Sequence, residues 1–224
     1  MKRCGVKVAQ RGVLLCALVL VACGKPAKQA PQPNQTARAP DLSGRTVLLL
    51  PVQPGPVPNA AGTTAPGGLL VDGLGALDAE IAYWLQENSP RTKWVMPDAL
   101  RRTVQRSPTL AIDLNTLDVS AFRRAQVRRI GDPLYGDLRK LAAVHDASLA
   151  VVPVAAEFRP TSTDSGHIEI AAALVDVHYG TVYWFGVVAG ETGARGAAEL
   201  AVSAAQKFSR QFATIQRDTT GAIR

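Results

Sequence analysis

The chain has 224 residues and is 47% hydrophobic, 19% charged and 5% aromatic, with a formal charge of +7. That composition fits one domain of good size or two small ones, and it excludes repeat arrays, collagen and wholesale disorder. No apolar run reaches the roughly eighteen residues of a spanning helix, which excludes a polytopic membrane protein.

Residues 1–24 divide into three parts. Lys2, Arg3, Lys7 and Arg11 form a positive start, and Val13 to Val21 form a short apolar run. About ten apolar residues cannot cross a ~30 Å hydrocarbon layer as a helix, but they fit the core of a signal peptide. The run ends in Leu20-Val21-Ala22-Cys23. This tetrapeptide resembles the bacterial lipobox. The resemblance implies cleavage between Ala22 and Cys23, with the Cys23 thiol carrying a diacylglycerol and the new amino terminus an acyl chain. Cys16 follows the large Leu15, and Cys4 precedes the apolar run, so neither fits. The mature chain then keeps Cys23 alone, with no disulfide framework and no cysteine metal cluster expected. Gly24, rather than Asp, follows Cys23, which by the enteric sorting scheme implies the periplasmic face of the outer membrane.

Processing also changes the charge. Losing four basic residues leaves 21 Lys and Arg against 18 Asp and Glu, or +3. Residues 91–129 hold nine basic residues against Asp98, Asp113 and Asp118, so that segment is +6 and the remainder −3. Export removes nucleic acid as the partner of such a segment, leaving lipid headgroups or an acidic protein surface. The expected organisation is a signal over 1–22, a lipidated Cys and Pro/Ala/Gln-rich disordered tether over 23–43, a globular domain over 44–217 and a flexible tail over 218–224. The tether reaches roughly 25 Å as a coil.

Within the domain, Arg45 to Val52 reads as a buried strand and Gln53 to Gly68, rich in Pro and Gly, as a long loop. Leu74, Leu77, Ile81, Trp84 and Leu85 share one face of a helix running to Asn88. Lys93 to Met96 is a short strand. Pro97 opens a helix to about Arg106, with Asp98 the expected N-cap. Val119, Phe122, Gln126 and Ile130 suggest a helix over 119–130, and Leu134, Leu138, Leu141 and Ala142 one over 134–146. Ser148 to Phe158, His167 to His178 and Thr181 to Gly190 read as consecutive strands, the last two joined through Tyr179-Gly180. Pro153 points to an edge or a bulge. Ala197 to Ile215 closes the chain as a helix. The fold class is α+β, a single domain whose mixed sheet of about five strands carries helices packed on it.

Particular residues add a resemblance. They are the Val-Leu-Leu-Leu-Pro-Val strand, the Trp94-Val-Met-Pro-Asp-Ala-Leu100 step, the stretch from Leu138 to Pro153, and the hairpin from Leu174 to Trp184. Together they resemble a group containing penicillin-binding-protein activator lipoproteins, curli-secretion lipoproteins and the N-terminal domain of the Tol translocation protein. The resemblance covers about 45–216 and implies an anticodon-binding-domain-like fold. It also implies an envelope protein as partner, a cell-wall synthase or an assembly machine. Self-assembly into a homo-oligomer is the alternative. The turn region Arg159 to Gly166 is short and polar, without the ~9–11-residue strands a membrane pore needs.

No catalytic constellation emerges, and neither enzyme activity, cofactor nor metal is expected. His145 lies on a helix stripe and reads as a partly buried structural residue. His167 and His178 are ~35 Å apart along one strand and cannot share a metal. Ser165, His178 and Asp176 form the one conceivable hydrolytic set, without a nucleophile elbow. Gly73-Leu74-Gly75 is a weak phosphate-loop likeness, and Trp84, Trp94 and Trp184 read as core. The best surface candidate is basic. Arg102 and Arg106, and Arg124 and Arg128, are each spaced to stack on one helix face as a partner surface.

Overall fold

The computed structural model describes residues 40–55, 71–123, 127–163, 165–193 and 197–220. Ala22, Cys23, Arg124, Gln126 and most of the tether and the 53–68 loop lie outside them. The elements follow the order β1 (Thr46–Leu49), α1 (Val71–Asn88), β2 (Lys93–Val95), α2 (Pro97–Arg106), α3 (Leu134–His145), β3 (Leu149–Pro160), β4 (Gly166–Asp176), β5 (Val182–Ala189) and α4 (Ala197–Thr220). Short 3-10 turns at Pro108–Leu110 and Ser120–Arg123 lie between α2 and α3.

The strands form one mixed sheet in the order β2-β1-β3-β4-β5, and the fold is α+β. β1 is parallel to both β2 and β3, and β3, β4 and β5 form an antiparallel meander. Alternation along β1 explains its central place. Val47 and Leu49 enter one core and Leu48 and Leu50 the other. A strand buried on both faces reads as an uninterrupted apolar run.

Each face has its own cover. Leu74, Leu77, Ile81 and Leu85 of α1 join Leu200, Ala204, Phe208 and Phe212 of α4 against one face. There Trp184 meets Phe212 edge-to-face at 5.4 Å. Gly190 lets the end of β5 approach α4 closely, since a Cβ there would stand 3.1 Å from the Ala204 backbone nitrogen. The opposite face packs Leu100 of α2, Leu138 and Leu141 of α3, and Ile112, Leu114, Leu117, Val119, Phe122 and Ile130 from the irregular chain between them.

Several expectations change. Within the predicted helix over 119–130, the described residues form a 3-10 turn at Ser120–Arg123 and extended chain at 127–130. Ile130 N–H donates to the Gly180 carbonyl at 2.8 Å, and Val182 N–H donates to the Arg128 carbonyl at 2.9 Å. Phe122 and Ile130 are buried, as a helical stripe would have them, but pairing with the start of β5 satisfies the backbone instead. Met96, not Asp98, is the N-cap of α2 and makes no side-chain bond. Pro97 holds the first position, and Asp98 lies in the first turn. Pro153 does mark a bulge, but in the central strand β3 rather than at an edge. α4 runs to Thr220, beyond the apolar stripe ending near Ile215. Leu42, placed in the tether by its surroundings in sequence, is fully buried, so ordered packing begins before residue 44.

Candidate docking surface

The basic residues singled out by spacing separate in space. Arg102 and Arg106 are exposed on α2, which follows the edge strand β2. Arg101, which precedes Arg102, is only half-exposed. It donates to Asp78 at 2.6 Å and to Asp98 at 3.0 Å. Arg128 is exposed in extended chain beside β5, at the other edge of the sheet, and not on a helix. The two edge strands are four strand spacings apart, about 19 Å. Arg124 lies outside the described residues, and the other three arginines are not one patch. Arg102 and Arg106 form one, and Arg128 belongs elsewhere.

Asp78 has a structural duty. Its carboxylate accepts Val52 N–H at 2.7 Å and the Arg101 guanidinium, tying the exit of β1 to α1 and α2. Burial pushes its carboxyl above the usual range, against those two bonds. Gln53, 1% exposed, does the same for the irregular cover. Its amide donates to the Pro51 and Leu114 carbonyls, and its oxygen accepts Leu117 N–H, at 2.8 to 2.9 Å.

The conceivable hydrolytic set is dispersed. Ser165 lies in the β3–β4 turn and pairs with Thr161 and Ser162. Asp176 ends the same strand at its opposite end, ~35 Å away by strand rise. Asp176 organises the β4–β5 turn, accepting the backbone N–H groups of His178 and Tyr179 and the Tyr183 hydroxyl. His178 is 63% exposed, with Nδ1 3.8 Å from that carboxylate. His145 is half-buried, its Nε2 3.0 Å from the Thr103 hydroxyl. Gly73 and Gly75 lie within α1 itself rather than in a loop before it. Trp184 is buried, and Trp84 and Trp94 pack partly buried on the α1/α4 side.

One cluster escaped the sequence reading. On the face of β3 and β4, Arg159 bonds both oxygens of Glu157 at 3.0 to 3.1 Å and Glu169 at 3.0 Å. His167 Nε2 stands 3.3 Å from Glu169. Glu157 is 2% exposed and lies directly across from Glu169 in register. The spacing Glu157-Phe158-Arg159 and His167-Ile168-Glu169, two apart on each strand, carried the signal. Only the register shows that the pairs face each other. The guanidinium between the two carboxylates offsets their repulsion, so the quartet pins the long hairpin.

No family model matches the sequence, and no curated protein matches it. Among solved structures, the chain is similar to the PelC dodecamer from Paraburkholderia phytofirmans at 14% identity, covering 83% of this chain and 95% of that one, with a TM-score of 0.43. It is similar to lipoprotein GNA1162 from Neisseria meningitidis at 16% identity, covering 76% and 99%, with a TM-score of 0.44. It is also similar to the hypothetical protein CT253 from Chlamydia trachomatis at 13% identity, covering 80% and 97%, with a TM-score of 0.39. At such low identity and overlap, function has to be argued from this chain's own residues.

Proposed function

We propose that this chain is a lipid-anchored protein of the bacterial envelope. In this reading its α+β domain works by docking another envelope protein rather than by catalysis. The observation that carries it is the sequence Leu20-Val21-Ala22-Cys23 after a short apolar run and ahead of a Pro/Ala/Gln-rich stretch. Sulfur at Cys23 is the nucleophile toward the lipid donor, and small Ala22 lets a peptidase reach the bond. The anchor lies at the periplasmic face of the outer membrane. The exposed pair Arg102 and Arg106 on α2 is the protein-docking surface, facing an acidic patch on a cell-wall synthase or assembly machine. The role assigned to Ser165, His178 and Asp176 is structural, since each already serves a turn.

The test is incorporation of a labelled fatty acid in cells, read together with in-cell crosslinking. The native chain takes up label and gives a discrete crosslinked species. Cys23→Ala takes up none. The pair Arg102→Glu and Arg106→Glu keeps the label and loses the crosslinked species. Label on the Cys23→Ala chain would refute the anchor, and undiminished crosslinking by the Glu pair would refute the α2 surface.

A further inference from the structure

The register of the sheet fixes which end of the domain the membrane-facing chain leaves from. Val47 of β1 is level with Leu149 of β3, and Leu149 lies opposite Asp176 at the end of β4. Thr46 is level with Lys93. The starts of β1, β2, β3 and β5 and the β4–β5 turn therefore share one end of the sheet. Residues 40–45, the first described, enter there, with Gly44 N–H on the Arg91 carbonyl at 2.8 Å.

That end is basic and carries tyrosine. Arg45, Arg91 and Lys93 are exposed around the β1 and β2 starts, and Arg128, Arg129 and Arg139 around the turn. Arg129 Nε donates to the Tyr179 carbonyl at 2.8 Å, Tyr135 donates to the His178 carbonyl, and Arg139 lies over the Tyr135 ring at 5.6 Å. These contacts hold Tyr179, 67% exposed, at the tip. Gly180, at φ 68, lets the turn close. Among the described residues the carboxylates there are Asp41, Glu87, Asp132, Asp146 and Asp176, five against those six cations, so the basic excess is small. Asp41 is engaged with Ser43 N–H and Asp132 with Gly136 N–H. Asp176 points into the turn.

The opposite end is acidic. Asp98 opens α2 beyond the end of β2. Asp113 and Asp118 flank the segment that Gln53 holds beyond β1, and Glu191 and Glu199 follow β5. All five are exposed. Among the described residues, its cations Arg101 and Arg159 are engaged with carboxylates. Among the described residues the domain is thus polarised along its strands, with a slight excess of cations where the tether enters and an excess of carboxylates at the far end.

We propose that the positive end rests on the anionic phospholipid headgroups of the membrane that holds Cys23. Tyr179 lies at the contact, and Arg128, Arg129 and Arg139 pair with lipid phosphates. The inference rests on the lipid-anchor reading above. Each basic side chain near an anionic surface strengthens association about fivefold. A tether that already confines the domain near the surface needs few of them to set its orientation. Tyrosine suits the headgroup layer because its ring is apolar and its hydroxyl is polar. The surface on α2 then remains free for a protein, with the acidic end turned to the periplasm.

The experiment uses the lipidated full-length protein in vesicles. His178→Cys at the basic end and Asn115→Cys at the acidic end each add one free thiol for a donor dye, since Cys23 is acylated. Energy transfer is read to an acceptor lipid. In phosphatidylcholine vesicles containing phosphatidylglycerol, position 178 should transfer at least about twofold more than position 115. In pure phosphatidylcholine, at high salt, or with Arg128→Glu and Arg139→Glu, the two positions should become alike. If the Glu pair disturbs folding, the lipid and salt comparisons on the unaltered surface decide alone. Equal transfer from both positions on the anionic vesicles overturns the orientation, as it would if that end bound an acidic protein instead. Failure of the protein to float with either vesicle overturns the anchor reading, and the orientation with it.

Discussion

The two faces of the sheet are closed by different means. One is covered by α1 and α4, two long helices whose apolar stripes lie side by side, with Asn88 at the end of α1 donating to Ser209 midway along α4 at 2.8 Å. The other is covered by two shorter helices and by chain of little regular structure, from Ser107 to Pro133. Helices satisfy their own backbone, so their contribution to a core is almost wholly apolar packing. Irregular chain must find partners for its N–H and C=O groups elsewhere. Here Gln53, Asp113 and the start of β5 supply them. The first face should therefore be sensitive to lost volume, and the second to lost polar atoms.

The largest effect is expected on the helical face. Phe212 is fully buried and touches both Trp184 and Phe208. Phe212→Ala should cost about 3–5 kcal/mol by transfer and cavity terms together. Chemical denaturation checks this, and a loss below about 1 kcal/mol would show that α4 is not part of the cooperative core.

A smaller and more local effect is expected on the irregular face. Gln53→Ala deletes few apolar contacts but strips Leu117 N–H and the Leu114 carbonyl of their partner. The cost should be about 2–3 kcal/mol, two groups each toward the low end of the roughly 1–3 kcal/mol for a buried group left unsatisfied. Hydrogen exchange gives the sharper reading. The Leu117 and Val119 amides should exchange faster while those of α4 keep their protection. Uniform acceleration in both regions would erase the distinction between the faces.

The same contrast explains what could be read from the chain. α1, α3, α4 and the strands announced themselves by period, as apolar positions such as Leu77, Ile81 and Leu85 recur along the packed side of a helix. The segment 119–130 carried a helical period too, but Phe122 and Ile130 reach the same core through a turn and an extended edge. Gln53 looked like the first residue of a polar loop, and only the fold shows its amide closing on a segment 61 to 64 residues away. The basic character of residues 91–129 was visible in composition. Its division was not, because Arg101, Arg102 and Arg128 differ in direction and sheet edge rather than in type. The polarity of the two ends needed the strand register before it could be seen at all.

The smallest effect concerns pH and the junction of α2 with α3 on the irregular face. Thr103 spends its hydroxyl hydrogen on the Ala99 carbonyl, so its oxygen is left to accept from His145 Nε2. Burial lowers the His145 pKa below its usual 6.5, outweighing the pull of the helix C-terminus toward a charged ring. The unfolded chain then binds the proton more readily than the folded one, so stability rises with pH across that interval. Acidification through about 6.5 should lower the melting temperature slightly, and His145→Gln should remove that step. Two carboxylates do not imitate it. Asp113 is held below the usual carboxylate range by Asn115 N–H and the Thr116 hydroxyl, so its contribution is lost only at more acidic pH. Asp78 has the opposite sign, because burial makes its protonation favour the fold. A melting temperature that falls equally in the native chain and in His145→Gln over that window would place the titrating group elsewhere than the α2–α3 junction.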